Sequence, residues 1–329
     1  MLSLTDNASR QLVDGLVEFN LISRKIPTPA RMILSALQII RLSSSHKFLT
    51  NGLFLETLMA SIFKRIDYVA KVPGDIVWER ARNSGLTTLD IDAFQGSEPR
   101  RLMLMRWAFT KSLKRAKKII APSSHLKNLM ISWGIDPAGI SVIPNSVDAD
   151  VFRPDPSSQT NFDCITVCRL VPWKGLAELI ETCSKNNLSL LIVGSGPQES
   201  ELRDLSHRLH ARVEFAGEVS QSQLPKYLNQ ARFFVLNSSY EGSPHALIEA
   251  MSCGLPIISR ENTGTSELVS SGKNGLLVGK SRSLEDAFQL ILRNEIDTQS
   301  LGRAAREDIL NLYSQNKIFA EIRDLVGAR

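Results

Sequence analysis

From Asn161 onward, short apolar runs alternate with longer amphipathic ones, and that alternation restricts the second half of the chain to very few folds. Residues 163–168 read as a strand, 175–184 as a helix, 188–193 as a strand and 198–209 as a helix. The pattern continues with a strand at 213–215, a helix at 224–230, a strand at 233–236, a helix after Pro244 and a strand at 256–258. Strands this apolar, regularly separated by helices, belong to a parallel sheet covered on both faces. A doubly wound α/β domain is therefore expected here.

The first part follows the same scheme less regularly. Helices are expected at 31–42, 54–64, 100–115 and 124–133, with strands at 47–49, 68–71, 118–121 and 140–145. The stretch 144–160 holds Pro144, Pro154, Pro156 and several serines, which suits a linker. Domains are accordingly expected over 1–146 and 147–310, with a C-terminal helix in 311–329 packing back on the first. Ligands of open α/β sheets bind at the carboxyl ends of the strands, so the cleft between two such domains is the natural site.

With 329 residues, 43% of them hydrophobic and 22% charged, the chain can bury two cores. No run of eighteen apolar residues appears, and the N-terminus lacks the basic-then-apolar pattern of a secretory signal, so a cytoplasmic protein is expected. Cys164, Cys168, Cys183 and Cys253 form no CxxC pair and have no histidine at ligand spacing. Buried, reduced thiols and no metal are expected.

Charge is unevenly spread. Through residue 130 there are 20 Lys and Arg against 10 Asp and Glu, and the remainder carries 19 against 24. The positive charge is densest between Arg100 and Lys118, where it is interleaved with Leu102, Met103, Leu104, Met105, Trp107, Phe109 and Leu113. This is a basic amphipathic helix able to lie on an anionic membrane surface or meet an anionic acceptor; a core helix with a solvated basic face has the same pattern. No aromatic-rich basic sheet or recognition motif accompanies it, so nucleic acid is not an expected partner.

The chemistry concentrates in Tyr240-Glu241-Gly242-Ser243-Pro244-His245-Ala246-Leu247-Ile248-Glu249. Pro244 suits a first helical turn, and the residues after it are strong helix formers. One carboxylate then lies in a loop and one on a helix. The helix start between them offers unpaired N–H groups and the positive end of a dipole, a site for phosphate. A capped helix with a surface glutamate at each end is the alternative. Further segments follow strands: Arg169 and Lys174, two cations able to grip a diphosphate, and Gly194-Ser195-Gly196-Pro197, which either admits a ligand close to the backbone or is simply a turn. Gly264-Thr265-Ser266-Glu267 reads as the start of another helix.

Together with Ile143-Pro144-Asn145-Ser146-Val147-Asp148, these segments resemble the retaining glycosyltransferases of family 4 (group 1 glycosyl transferases), across residues 45 to 315. The resemblance implies the GT-B fold, two facing Rossmann-like doubly wound α/β domains. It implies that Arg169 and Lys174 bind the donor diphosphate, Glu241 the sugar hydroxyls and Glu249 the ribose. Gly242, Ser243, Pro244, His245 and Ala246 would complete the phosphate site, with Gly194, Gly196 and the 213–219 segment around the base. The implied reaction retains anomeric configuration, needs no metal or further cofactor, and uses a nucleoside diphosphate sugar as donor. The acceptor would be a sugar or lipid-linked hydroxyl in polysaccharide or glycolipid assembly, with the protein cytoplasmic or peripheral on the inner membrane face. A non-catalytic nucleotide-sugar-binding or partner subunit, or a GT-B epimerase or hydrolase, is the competing expectation.

The opening departs from the family pattern. Its usual apolar strand running into a glycine-rich loop is not found: residues 1–45 contain only Gly15, and the first family-like strand is 47–49. Asn51 and Asp75 would then face the acceptor side, and a turn-forming role suits each equally well.

Overall fold

The computed structural model describes residues 2–5, 10–14, 17–44 and 47–327. The chain divides into two compact units, one of Met1–Ile143 with Glu321–Arg329 and one of Pro144–Ala320. The split falls just ahead of the boundary read at 146.

In the first unit, β1 (Leu2–Thr5), β2 (Arg10–Asp14) and β3 (Val17–Ser23) form a small sheet in the order β1-β3-β2, with β2 antiparallel to β3. The sequence reading finds no strand before residue 47. Val17-Glu18-Phe19-Asn20-Leu21 has the alternation of a strand buried on one face, a different signal from the continuous apolar runs that mark the strands of the parallel sheets. Gly15 lies outside the described residues. After α1 (Thr28–Leu42) comes a separate parallel sheet, with β4 (Phe48–Thr50), β5 (Tyr68–Lys71), β6 (Lys118–Ala121) and β7 (Ile140–Val142) in chain order. Its helices are α2 (Phe54–Phe63), α3 (Ile76–Asn83), α4 (Ile91–Phe94), α5 (Arg100–Arg115) and α6 (Ser124–Ser132). Helices α3 and α4 escape the periodicity reading because they are short, yet each is started by an aspartate: Asp75 accepts from the Val77 and Trp78 amides, and Asp90 from that of Ala93. Tyr68, Phe54, Trp78, Phe94 and Phe109 fill the core.

The second unit is the doubly wound domain. Its elements run β8 (Phe162–Val167), α7 (Leu176–Lys185), β9 (Leu190–Val193), α8 (Glu199–Arg208), β10 (Val213–Gly217), α9 (Leu224–Leu228), β11 (Ala231–Leu236), α10 (His245–Ser252), β12 (Ile257–Arg260), β13 (Leu276–Val278), α11 (Leu284–Leu292) and α12 (Thr298–Asp308). The sheet is parallel throughout, in the order β10-β9-β8-β11-β12-β13. Successive strand residues face opposite ways, which gives the sheet two cores. Ile165, Leu191, Phe234 and Leu236 pack on one face; Cys164, Leu190, Ile192, Phe233 and Val235 pack on the other. The helix expected at Gly264–Glu267 is instead a run of turns, where the Asn262 side chain accepts from the Gly264 and Thr265 amides. The last helix, α13 (Gln315–Val326), lies within the expected 311–329. Among the described residues, no helix is long and apolar enough to cross a membrane.

The chain progresses outward from β8 to β10, then returns to the other side of β8 to lay down β11. This reversal leaves a crevice at the carboxyl ends of β8 and β11, where ligands of open sheets bind.

Candidate functional site

Both loops at the reversal point carry charge. After β8 the chain makes a 3-10 turn, Pro172–Lys174, ended by Gly175 in the left-handed region at φ 64°. The Ser239 amide, in the loop after β11, donates to the Trp173 carbonyl at 2.8 Å and so ties the two loops together. Lys174 Nζ then reaches Glu241 Oε1 at 2.5 Å, and both side chains are mostly buried. A charge-assisted contact of this kind holds each partner against solvent and against the other's movement. Asn237 fixes the turn from below: its Nδ2 donates to the Gly175 carbonyl at 2.9 Å, while its Oδ1 accepts from Arg260 Nε at 3.0 Å. Arg260 also pairs with Glu178.

Arg169 stands at the exposed edge, and no hydrogen bond or ion pair occupies its guanidinium among the described residues. It lines a pocket of about 670 Å³ with Cys168, Gly194, Gly196, His245, Ala246 and Glu249. Both glycines of the loop after β9 are sterically required. A Cβ on Gly194, at φ +128°, would lie 2.0 Å from the Cys168 carbonyl oxygen, and one on Gly196 would lie 2.4 Å from that of Leu170. The same packing lets backbone form the pocket wall.

Helix α10 opens into this pocket. Pro244 precedes its first turn and, among the described residues, no side chain caps it, so the Ala246 and Leu247 amides face an anion site at the helix start. The loop before it is held from two sides: Asn145 Nδ2 donates to the Ser243 carbonyl at 2.8 Å, and Gly264 packs so close that a Cβ there would meet the Glu241 carbonyl oxygen at 2.1 Å. Gly242 and Ser243 are partly buried in this loop and Pro244 fully. Glu249, one turn further along, is buried and accepts from Gln221 Nε2 at 2.5 Å. Burial pushes its carboxyl above the usual range, and the Gln221 hydrogen bond opposes that shift.

The wall opposite includes Glu218, Val219 and Gln221, just past β10. Ser195 Oγ donates to Glu218. The Cys168 thiol is pushed up to about 11 by burial, with Lys174 pulling it down and Glu241 pushing it up. It is therefore a protonated lining group at neutral pH. All four cysteines are free thiols, and Cys164 and Cys183 are buried with their sulfurs 3.5 Å apart. Among the described residues no cluster of three or more potential metal ligands occurs.

The structure thus gathers Arg169, Lys174, Glu241, Glu249, Gly194, Gly196 and the Gly242–Ala246 segment at one crevice of the second unit. The two residues expected on the acceptor side fare differently. Asp75 is fully buried; besides the two amides of α3, its carboxylate accepts from Gln95 Nε2 at 3.1 Å and Arg106 Nη2 at 2.6 Å. Its geometry is that of a helix cap and ion-pair partner, with no face left for an acceptor. Asn51 is exposed in the turn after β4. Glu218 and Val219 belong to the 213–219 segment expected around the base; sequence reasoning missed Gln221, which lies in a polar loop without periodicity, and the bracing of the turn by Arg260.

Residues 149–308 match the family described as Glycosyl transferases group 1, and residues 87–151 match Glycosyltransferase Family 4. The gpi3 subunit of a phosphatidylinositol N-acetylglucosaminyltransferase from Schizosaccharomyces pombe is 27% identical over 197 residues, covering 57% of this chain and 43% of the relative. A GDP-mannose-dependent alpha-(1-6)-phosphatidylinositol monomannoside mannosyltransferase of Mycobacterium tuberculosis is 27% identical over 231 residues, covering 62% and 60%. These matches span between two-fifths and three-fifths of the relatives' length. Anabaena HepE, solved in complex with UDP, superposes with a TM-score of 0.75 at 19% identity, covering 94% of this chain and 86% of that one. The crevice at the β8–β11 reversal lies within the 149–308 match, the two matches together run from residue 87 to 308, and the chain belongs to the group 1 glycosyl transferases of family 4, with the GT-B fold.

Proposed function

We propose that this protein moves a hexose-type sugar from a nucleoside diphosphate sugar to an acceptor hydroxyl, with retention of anomeric configuration and without a metal. The observation that carries the reading is the Lys174–Glu241 pair at 2.5 Å, set at the β8–β11 crevice with the unpaired Arg169 and the uncapped start of α10 nearby.

As the glycosidic bond breaks, negative charge grows on the departing diphosphate. Arg169, Lys174 and the first amides of α10 are placed to neutralise it, which lowers the barrier more for the transition state than for the bound donor. Three preorganised positive groups supply the charge that a divalent ion would otherwise provide. Glu241, held by Lys174, offers a second oxygen to the hydroxyls of the donor sugar. Glu249 exchanges its Gln221 hydrogen bond for the ribose hydroxyls, and the Gly194–Gly196 backbone borders the base. With the leaving group stabilised and held in place, the acceptor attacks from the face it vacates, and configuration is retained. That HepE was solved with UDP supports a nucleoside diphosphate donor, and two relatives whose names contain phosphatidylinositol support a lipid-linked acceptor. An epimerase or hydrolase would need acids or bases aimed at the sugar ring, and a non-catalytic subunit has no use for an unpaired Arg169.

Titration calorimetry with UDP, GDP and ADP and their hexose conjugates tests the donor site. One nucleotide should bind, and binding should weaken in Glu249→Ala and Lys174→Ala; absence of binding to all of them overturns the reading. In a transfer assay, Lys174→Ala should lower the rate at least tenfold, about 1.4 kcal/mol of barrier. An unchanged rate removes Lys174 from the mechanism, and an inverted anomer in the product removes the retaining step.

A further inference from the structure

We propose that the outer face of α1, α2 and α5 is a docking surface for an anionic phospholipid bilayer. This inference stands on the first unit alone and is independent of the transfer reading. The three helices pack in the order α1, α2, α5 and carry a single acidic residue, Glu56, which is partly buried. Helix α5 is basic from end to end. Arg106 is spent inward, on Asp75 at 2.6 Å and Glu98 at 3.2 Å, over the Trp133 ring. Arg100, Arg101, Lys111 and Lys114 have no ion pair among the described residues. Arg100 and Arg101 also occupy the first turn, where the helix dipole disfavours a cation, and no acidic residue in that turn offsets them. Among the described residues of the unit nothing offsets their charge; an anionic surface outside it would.

Large apolar side chains stand among these cations. Leu104 is 73% exposed, Trp107 60% and Met103 58%, while Phe63 at the end of α2 is 80% exposed. Beside them a groove of about 740 Å³ is lined by Met32, Leu55, Met59, Leu104 and Met105, with Arg80 and Arg101 also in its lining. A protein partner of comparable apolar area would need acidic residues in register with fixed cations. A bilayer needs no register: anionic headgroups meet the arginines and lysines, the apolar side chains enter the acyl boundary, and tryptophan favours that boundary.

Co-flotation of the full chain with vesicles decides the matter. The protein should float with phosphatidylcholine vesicles containing phosphatidylglycerol and much less with phosphatidylcholine alone, and salt should weaken the association. Arg100→Glu with Arg101→Glu, and separately Leu104→Asp with Trp107→Asp, should each lower the partition at least tenfold. The charge-matched pair Lys185→Glu and Lys280→Glu, exposed on the second unit, should leave it unchanged. All these side chains are exposed, so circular dichroism melts should match the parent; if a reversal lowers the melt, Arg100→Gln with Arg101→Gln replaces it, with the same expected direction. Equal recovery on neutral and anionic vesicles, no recovery on either, or equal loss in the control pair overturns the proposal. A dimer that Leu104→Asp with Trp107→Asp breaks, without vesicle binding, assigns the face to a second copy of the chain and overturns it too.

Discussion

Lys174 and Glu241 hold each other in position before any ligand arrives, and that arrangement separates their roles from that of Glu249. Among the described residues the Glu249 carboxylate has only an amide partner, and burial raises its carboxyl. A raised carboxyl in the folded state favours the protonated form, so its contribution to stability is complete below the ordinary glutamate range and is lost as pH rises through the raised value. Glu249→Gln should therefore melt at a higher temperature than the parent at neutral pH, with the gain shrinking to nothing as pH falls below the ordinary value of 4.5. The same variant should bind nucleotide more weakly, a stability-for-function exchange common at ligand sites. A melt unchanged across the pH range would show that burial costs this carboxylate nothing. The two glutamates and the two cations were legible in the sequence by type and spacing. Gln221 was not, because its partner is 28 residues away, and no local pattern marks a side chain that acts across a loop.

Among the elements, the site depends on loops pressed against one another. Gly194 has both a left-handed φ and a backbone neighbour where a Cβ would stand, so Gly194→Ala must move the loop after β9 away from the loop after β8. The expected loss is about 2–4 kcal/mol in a denaturant titration, together with weaker nucleotide binding; a variant within ~0.5 kcal/mol of the parent would refute that packing. Strands of continuous apolar residues such as Ala231–Leu236 were readable because both faces are buried. The strands Arg10–Asp14 and Val17–Ser23 were not, because only Leu12-Val13 is apolar in the first and Glu18 and Asn20 interrupt the second. Leu276–Val278 is too short to be read, and the residues around Gly264 have the start of a helix without its continuation.

Each of the two units carries its own sheet and core. Differential scanning calorimetry should resolve two transitions, and a saturating nucleotide should raise the one belonging to Pro144–Ala320. At a ligand concentration about a hundred times Kd the stabilisation is ~2.7 kcal/mol; a single transition that shifts in full would mean that the units unfold together. Near neighbours along the chain suffice for the alternation of strand and helix, the apolar runs of the second sheet, the helix start at Pro244 and the glycines at loop ends, and all of these are written in the sequence. Which distant groups meet is a property of the folded chain alone. Asp75 is drawn into a buried pair with Arg106, 31 residues on, and Asn145 holds Ser243 across 98 residues. Local pattern follows from backbone geometry and burial period, whereas these pairings are set by the order in which strands are laid into each sheet, which no short stretch of chain encodes.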